Sequence, residues 1–272
     1  MILNSPRKKR IQVSTSSLWE KIPDRSRRLK ADLLARRSFR LESKTPFISF
    51  TFDDFPRSAY TVGGAILKRY ELTGTYYISM GMMNQTTATG EIADPEMLGN
   101  VLSDGHELGC HTYAHPDAWQ TRPDLFESSI IENRRALRSI LPGRNFRTFA
   151  FPLGNATPQT KRIAGRYFVC CRAGKQTFNT GRIDLNNLNA YFLDRRLGAS
   201  PSSIKKIIDS NGHAKGWLIF VTHDVGDDPS PYGCTPDFFE GIVRYAVNSG
   251  SVILPVIRTC ESLAVAPVTG MS

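Results

Sequence analysis

Beyond Pro46 the chain alternates short apolar runs with longer amphipathic stretches. FISFTF (47–52), TGTYYISM (73–80), HELGCHT (106–112), RTFAFPLG (147–154), YFVCCRAG (167–174), AYFLDRRLGA (190–199), GWLIFVTHD (216–224) and SVILPVI (251–257) are short and rich in β-branched and aromatic residues. These eight runs predict strands. Apolar positions at helical spacing predict helices over 59–72, 94–105, 122–143, 156–166, 200–212 and 235–250. Asp94 is placed to cap the second of these, and Gly105 and Pro142-Gly143 are placed to stop the second and third. Strands joined by helices form either a closed (β/α) barrel or an open doubly wound sheet.

The polar residues within this pattern are not scattered. Asp53-Asp54, His111, Pro152 to Gly154 and His223-Asp224 all follow the carboxyl ends of predicted strands. Barrels and open sheets alike build their sites at that end.

Ahead of this body, Leu18, Ile22, Leu29, Leu33, Leu34 and Phe39 lie among many arginines, which predicts a helix from about Asp24 to Ser38 with one narrow apolar stripe. It would either pack across the outside of the domain or serve as a basic element against anionic lipid or a partner. The formal net charge of +10 suggests nucleic acid until it is located. Residues 1–44 hold 13 Lys+Arg against 4 Asp+Glu, whereas the remaining 228 residues hold 22 against 21. The expected organisation is a basic extension over 1–44 and a nearly neutral domain over 45–272, without a nucleic-acid groove.

No apolar run has the length of a membrane span, and the opening basic cluster is not followed by the apolar core of a secretion signal. Five cysteines without regular spacing fit free thiols in a reducing compartment, with Cys170 and Cys171 as ordinary strand residues. Cytoplasmic location, with peripheral contact to the inner face of the membrane through residues 1–44, is the expectation.

Within HELGCHTYAHPD (106–117), His111 and His115 are four apart, so one helical turn would aim both imidazoles the same way. Asp54 supplies a third candidate ligand. One aspartate and two histidines leave an open coordination position, as a hydrolytic metal site requires. Asp54 then stays ionised beside the cation, and Asp53 is free to act as a base. Two adjacent aspartates would equally suit the N-terminus of a following helix. His223, closing the apolar strand LIFVTH, is a candidate proton donor or a structural core histidine.

TFDD (51–54), HTYAH (111–115), FPLG (151–154) and VTH (221–223) fall in the order and at the separations of the polysaccharide deacetylases, the NodB-homology or carbohydrate esterase family 4. The chain resembles that family over about residues 45–262. The resemblance implies an α/β fold, a distorted (β/α)7-8 barrel with its site at the carboxyl ends of the strands. It implies removal of N-acetyl, or sometimes O-acetyl, groups from sugars with one divalent ion, often zinc. Matched by position, Asp53 falls on the catalytic base, Asp54, His111 and His115 on the metal ligands, and His223 on the general acid. The backbone N–H of Leu153 falls on the donor to the oxyanion.

Two departures stand out. Ala150 and Leu153 occupy positions where much of the family has an arginine oriented to the base and an aromatic residue. DRRLGA (194–199) nominates Arg196, or else Arg195, as a substitute arginine. Phe55 replaces the usual glycine after the aspartates and is expected to narrow or reshape the substrate groove. An N-acylated amino sugar or glycan, including a lipid-linked precursor, is the expected substrate. A deformylase, an O-deacetylase, a cyclic-amide hydrolase and a catalytically silent carbohydrate-binding protein stay open as alternatives.

Overall fold

The computed structural model describes residues 21–266. The basic cluster of residues 7–10 lies outside them, as does the side chain of Arg195. The chain opens with α1 (Lys21–Leu33) and β1 (Ser38–Leu41), then enters the body through β2 (Phe47–Phe52), α2 (Ala65–Arg69) and β3 (Thr75–Ile78). A hairpin of β4 (Thr86–Thr87) and β5 (Gly90–Glu91) precedes α3 (Met97–Ser103), β6 (Glu107–Cys110) and α4 (Pro123–Ile140). There follow β7 (Thr148–Ala150), α5 (Pro158–Tyr167), β8 (Cys170–Arg172), β9 (Gly181–Asp184) and β10 (Tyr191–Phe192). The chain closes with α6 (Pro201–Ala214), β11 (Trp217–Thr222), α7 (Pro236–Asn248), β12 (Val252–Ile253) and α8 (Val256–Ser262).

The main sheet is parallel and runs β10-β11-β2-β3-β6-β7-β8. β12 pairs with Phe47 and Ile48, beside the amino half of β2, while β3 takes the carboxyl half at Thr51 and Phe52. The sheet curls until one segment bridges its two edges. Leu185, Leu188 and Ala190 exchange backbone hydrogen bonds with Cys171, Ala173 and Lys175, and Leu193 N–H donates to Val221 O. The result is the expected distorted barrel. Every residue of β2 and β11 is buried, because helices cover the outside while side chains fill the inside. Phe52 stacks on Tyr76 with ring centroids 4.8 Å apart, and Phe50 on Phe220 at 5.6 Å. Each such ring contributes roughly 2–3 kcal/mol by leaving water.

The predicted strands and helices appear, with shifts where backbone chemistry overrides the pattern. The strand expected over 190–199 shortens to two residues and passes into a 3-10 turn at Arg195–Leu197. The run SVILPVI splits at Pro255, so that α8 follows β12. Asp94 lies two residues ahead of the N-cap, Glu96, and its Oδ1 accepts from Met97 N–H, the first of α3, at 3.1 Å. No helix among the described residues is long and apolar enough to cross a membrane. All five cysteines are free and buried. Burial pushes the Cys110, Cys171 and Cys234 thiols up to about 12, which makes them inert packing groups.

The segment read as a basic extension packs on the domain from Ala31 onward. α1 ends earlier than its apolar stripe suggests, and β1 pairs antiparallel with β9. Two basic side chains cap helices reciprocally. Lys161 of α5, fully buried, donates from Nζ to Ala31 O, to Leu34 O at 2.8 Å and to Asp184 Oδ2 at 2.6 Å. Arg37, just past α1, donates to Gly165 O at 3.2 Å and Phe168 O at 3.0 Å at the end of α5. Cations at the carboxyl ends of helices satisfy orphan carbonyls and oppose the helix dipole.

Candidate active site

The carboxyl ends of β2, β6, β7, β8 and β11 open onto a cavity of about 460 Å³ whose lining includes Asp53, Asp54, His111, His115, Leu153 and His223. The six side chains or backbones singled out in the sequence motifs thus converge on one place. β2 delivers the aspartates. Asp53 N–H still donates to Thr222 O as a last rung of the ladder, after which the backbone turns into the left-handed region at Asp54 (φ 65°) and Phe55 (φ 63°). That turn sends the two carboxylates into the cavity instead of onto opposite sides of a strand. It also explains why glycine is the easy residue at position 55. Phe55 is nonetheless fully buried, packed edge-on against Tyr76 at 5.4 Å, and does not line the cavity. The expectation that it narrows the groove is therefore corrected: its ring turns into the core, where an aromatic side chain is stabilised.

His111 and His115 come together by a different device from the helical turn expected. Residues 111–115 are irregular, with left-handed backbone at Thr112 (φ 65°) and His115 (φ 52°). Ser129 Oγ of α4 accepts from Tyr113 N–H at 3.0 Å and Ala114 N–H at 3.2 Å, which pins the loop. Gly81 N–H donates to Tyr113 O at 3.0 Å, and a Cβ at position 81 would lie 2.7 Å from that oxygen. Only glycine permits the approach. Non-glycine residues in the left-handed region cost about 1–3 kcal/mol each and gather at functional sites.

The three candidate ligands present Nε2 of His111 at 3.6 Å and Nε2 of His115 at 3.4 Å from Asp54 Oδ1. Their donor atoms all lie within 4.8 Å of one another. Asp54 Oδ1 is buried and has no hydrogen-bond partner, while Oδ2 accepts from Thr89 Oγ1, in the hairpin turn, at 3.3 Å. An orphaned buried carboxylate oxygen facing two imidazole nitrogens fits a divalent cation, since without one that oxygen bears an unpaid desolvation cost. His111 Nδ1–H donates to Ala150 O at 2.8 Å, which leaves Nε2 as the lone-pair atom toward the cluster. Burial pushes the His111 imidazole down to about 4, so it is neutral and competent as a ligand at physiological pH.

Asp53 is buried, yet its carboxyl is held below the usual carboxylate range. Burial, the largest single influence, raises it, and the Arg172 guanidinium together with His111 and His223 outweighs that effect. Arg172, fully buried at the end of β8, donates to Asp53 Oδ1 and lies 5.0 Å from the Tyr77 ring centroid. The arginine that bonds Asp53 is therefore Arg172 and not Arg196. Arg196 instead bonds Asp194 Oδ2 at 2.9 Å and lies 3.8 Å from the Tyr232 ring centroid, although it too lines the cavity. The signal for Arg172 was present in the sequence as a charge ending the apolar strand YFVCC.

His223 Nδ1–H donates to Tyr232 O at 3.2 Å and its Nε2 lies 3.9 Å from Asp54 Oδ2, so the ring points into the same space. Asp224 braces the loop after β11 by accepting from Ser230 N–H at 2.6 Å and Ser230 Oγ at 2.5 Å. Leu153, with φ 59°, sits in a tight turn closed by Gly154 N–H to Phe151 O at 2.9 Å. Sequence reasoning also missed Arg28 and Trp119, which line the cavity from α1 and from the loop before α4.

The family model for polysaccharide deacetylase matches residues 40–168, and over that stretch the chain is similar to the family. A chitooligosaccharide deacetylase of Bradyrhizobium is 27% identical over 120 residues, which is 44% of this chain and 51% of the relative. A gellan lyase of Bacillus is 22% identical over 236 residues, 80% of this chain but 9% of that protein. The chain thus spans about half or less of the length of these curated relatives. Among solved structures, a family 4 acetyl xylan esterase from Clostridium thermocellum, in complex with a cobalt ion, shares the fold with a TM-score of 0.59. It is 18% identical, covering 83% of this chain and 96% of that one.

Proposed function

We propose that this protein is a metal-dependent hydrolase that removes an N-acetyl, or another small N-acyl, group from an amino sugar within a glycan, with zinc as the ion. One observation carries the reading: the buried, unpartnered Asp54 Oδ1 faces His111 and His115 directly beside a carboxylate held ionised by Arg172. Held by Asp54, His111 and His115, a divalent ion supplies a Lewis acid for the acyl oxygen and for the attacking water.

The chain's own groups then divide the work. Asp53 is fixed through Oδ1 by Arg172, which leaves Oδ2 to take the proton of the attacking water. Leu153 N–H donates to the acyl oxygen as it gains negative charge. The C–N bond breaks as His223 passes a proton from Nε2 to the departing amine, its ring held by the Nδ1–H donated to Tyr232 O. Carboxylate and free amino sugar are the products. A silent carbohydrate-binding protein is suggested by Ala150 and Leu153, and the contact of Arg172 with Asp53 supports the hydrolase reading over it.

The experiment is acetate release from N-acetylated chitooligosaccharides by zinc-reconstituted protein, with formylated and O-acetylated sugars in parallel. Chelation is expected to abolish release and zinc to restore it. A rate indifferent to chelation, or no release from any acylated sugar, would sink the reading. Formate released in preference to acetate would turn it into a deformylase.

A further inference from the structure

Two cationic side chains in the cavity have no place in this chemistry. Arg28 projects from α1, and its guanidinium carbon lies 5.0 Å from the Trp119 ring centroid. Trp119 is itself fixed, its indole N–H donating to Ala156 O at 3.1 Å. Arg196 lies 3.8 Å from the Tyr232 centroid and spends one nitrogen on Asp194. A guanidinium carries five N–H donors in a planar fork, so Arg196 keeps most of its capacity. Arg28 has no carboxylate partner among the described residues. The two carboxylates of the cavity are both occupied, Asp53 by Arg172 and Asp54 by the ligand cluster.

A ring within cation–π distance restrains each guanidinium, and a restrained guanidinium is preorganised to grip carboxylate or phosphate oxygens. The carboxyl end of the helix that carries Arg28 is tied to the barrel, because buried Lys161 binds Ala31 O and Leu34 O, and Asp32 pairs with Lys175 at 2.7 Å. α1 precedes residue 40, where the family match begins, so Arg28 lies outside the matched stretch.

We propose that Arg28 and Arg196 recognise an anion, and that the substrate is an acidic glycan bearing a carboxylate or phosphate next to the acylated amino sugar. The proposal rests on the deacetylase reading above and sharpens its substrate class. Three probes test it with the full-length, zinc-reconstituted protein: neutral N-acetylchitotetraose, a tetrasaccharide alternating N-acetylglucosamine with glucuronic acid, and N-acetylglucosamine 1-phosphate. At least one acidic probe is expected to exceed the neutral one about tenfold or more in kcat/KM, chiefly through KM, with a preference that shrinks as salt rises. Whichever acidic probe leads identifies carboxylate or phosphate as the source.

In Arg28→Gln the ratio of acidic to neutral kcat/KM should fall roughly tenfold, in the double variant with Arg196→Gln it should approach unity, and Arg28→Lys should keep part of it. Replacing Arg138, exposed on α4, should not move the ratio. A neutral probe hydrolysed as well as both acidic ones, or a preference that survives the double variant, overturns the proposal and leaves the deacetylase reading standing. If no probe is hydrolysed, that reading falls, and calorimetric titration of Asp53→Asn protein decides the anion site separately. Tighter acidic than neutral binding that the double substitution removes upholds it, and equal binding refutes it.

Discussion

The two ends of the barrel bury acids beside histidines and treat them in opposite ways. At the amino end, Glu107 Oε1 accepts from Thr148 Oγ1 at 2.5 Å, and Oε2 from Thr75 Oγ1 at 2.8 Å and Ile257 N–H at 2.9 Å. His106 Nδ1 accepts from Gly74 N–H at 2.9 Å. At the carboxyl end, Asp54 Oδ1 has no partner and Asp53 is bonded through one oxygen only. The charges differ as well. Burial raises the Glu107 carboxyl despite three hydrogen bonds, whereas Asp53, equally buried, is lowered because Arg172 lies against it. Burial is therefore common to the acids at both ends. What separates them is an unspent oxygen and a cation that keeps it ionised.

The comparison is broken most directly at Asp53. Asp53→Asn should lower turnover by about a hundred- to ten-thousand-fold while metal analysis finds the ion still bound. An unchanged rate of acyl release would remove Asp53 from the role of base. Next in size, Arg172→Met should cost about 3–5 kcal/mol in urea unfolding, because it strands a buried carboxylate. The same variant should shift the acid limb of the pH–rate profile upward, since the cation that lowers Asp53 is gone. A profile that does not move would mean that Arg172 only packs.

At the amino end, Glu107→Leu should cost about 1–3 kcal/mol by leaving Ile257 N–H and two threonine hydroxyls unpaired, without loss of bound metal. The smallest effect is one of sign. Glu107 is raised in the folded state, so the stability it contributes is complete below the ordinary glutamate value of about 4.3 and is lost as pH rises through its folded value. Asp53 is lowered, so its contribution is present above the ordinary aspartate value of about 3.9 and is lost as pH falls through its folded value. Urea titrations across the acid range should show wild type losing ground to Glu107→Gln as pH increases. A difference that grows the other way would mean the amino end also holds an ionised acid.

Local patterns made much of this legible. The apolar run ending in Asp53 and Asp54, the paired histidines and the strand closing in His223 are contiguous, and each lies at a carboxyl end that alternation alone locates. Partners across the barrel were not legible. Arg172 reaches Asp53 over 119 residues of sequence, and a two-residue periodicity does not say which strands become neighbours or which way an arginine at a strand end will turn. Arg196 looked equivalent in one dimension because it too follows a strand, yet a 3-10 turn and Asp194 draw it to the rim. Phe55 was read by its size, whereas its destination was set by a positive φ that the residue type does not announce.

The amino-acid sequence by itself determined the strand and helix alternation, the order of the motifs and the identity of the ligand, base and acid candidates, because these depend on spacing along one chain. Only the tertiary structure decided that α1 reaches the cavity and that Arg172 holds Asp53. It alone left one oxygen of Asp54 unsatisfied, since charge pairing and hydrogen-bond satisfaction are settled by distances between segments that meet only when the sheet curls closed.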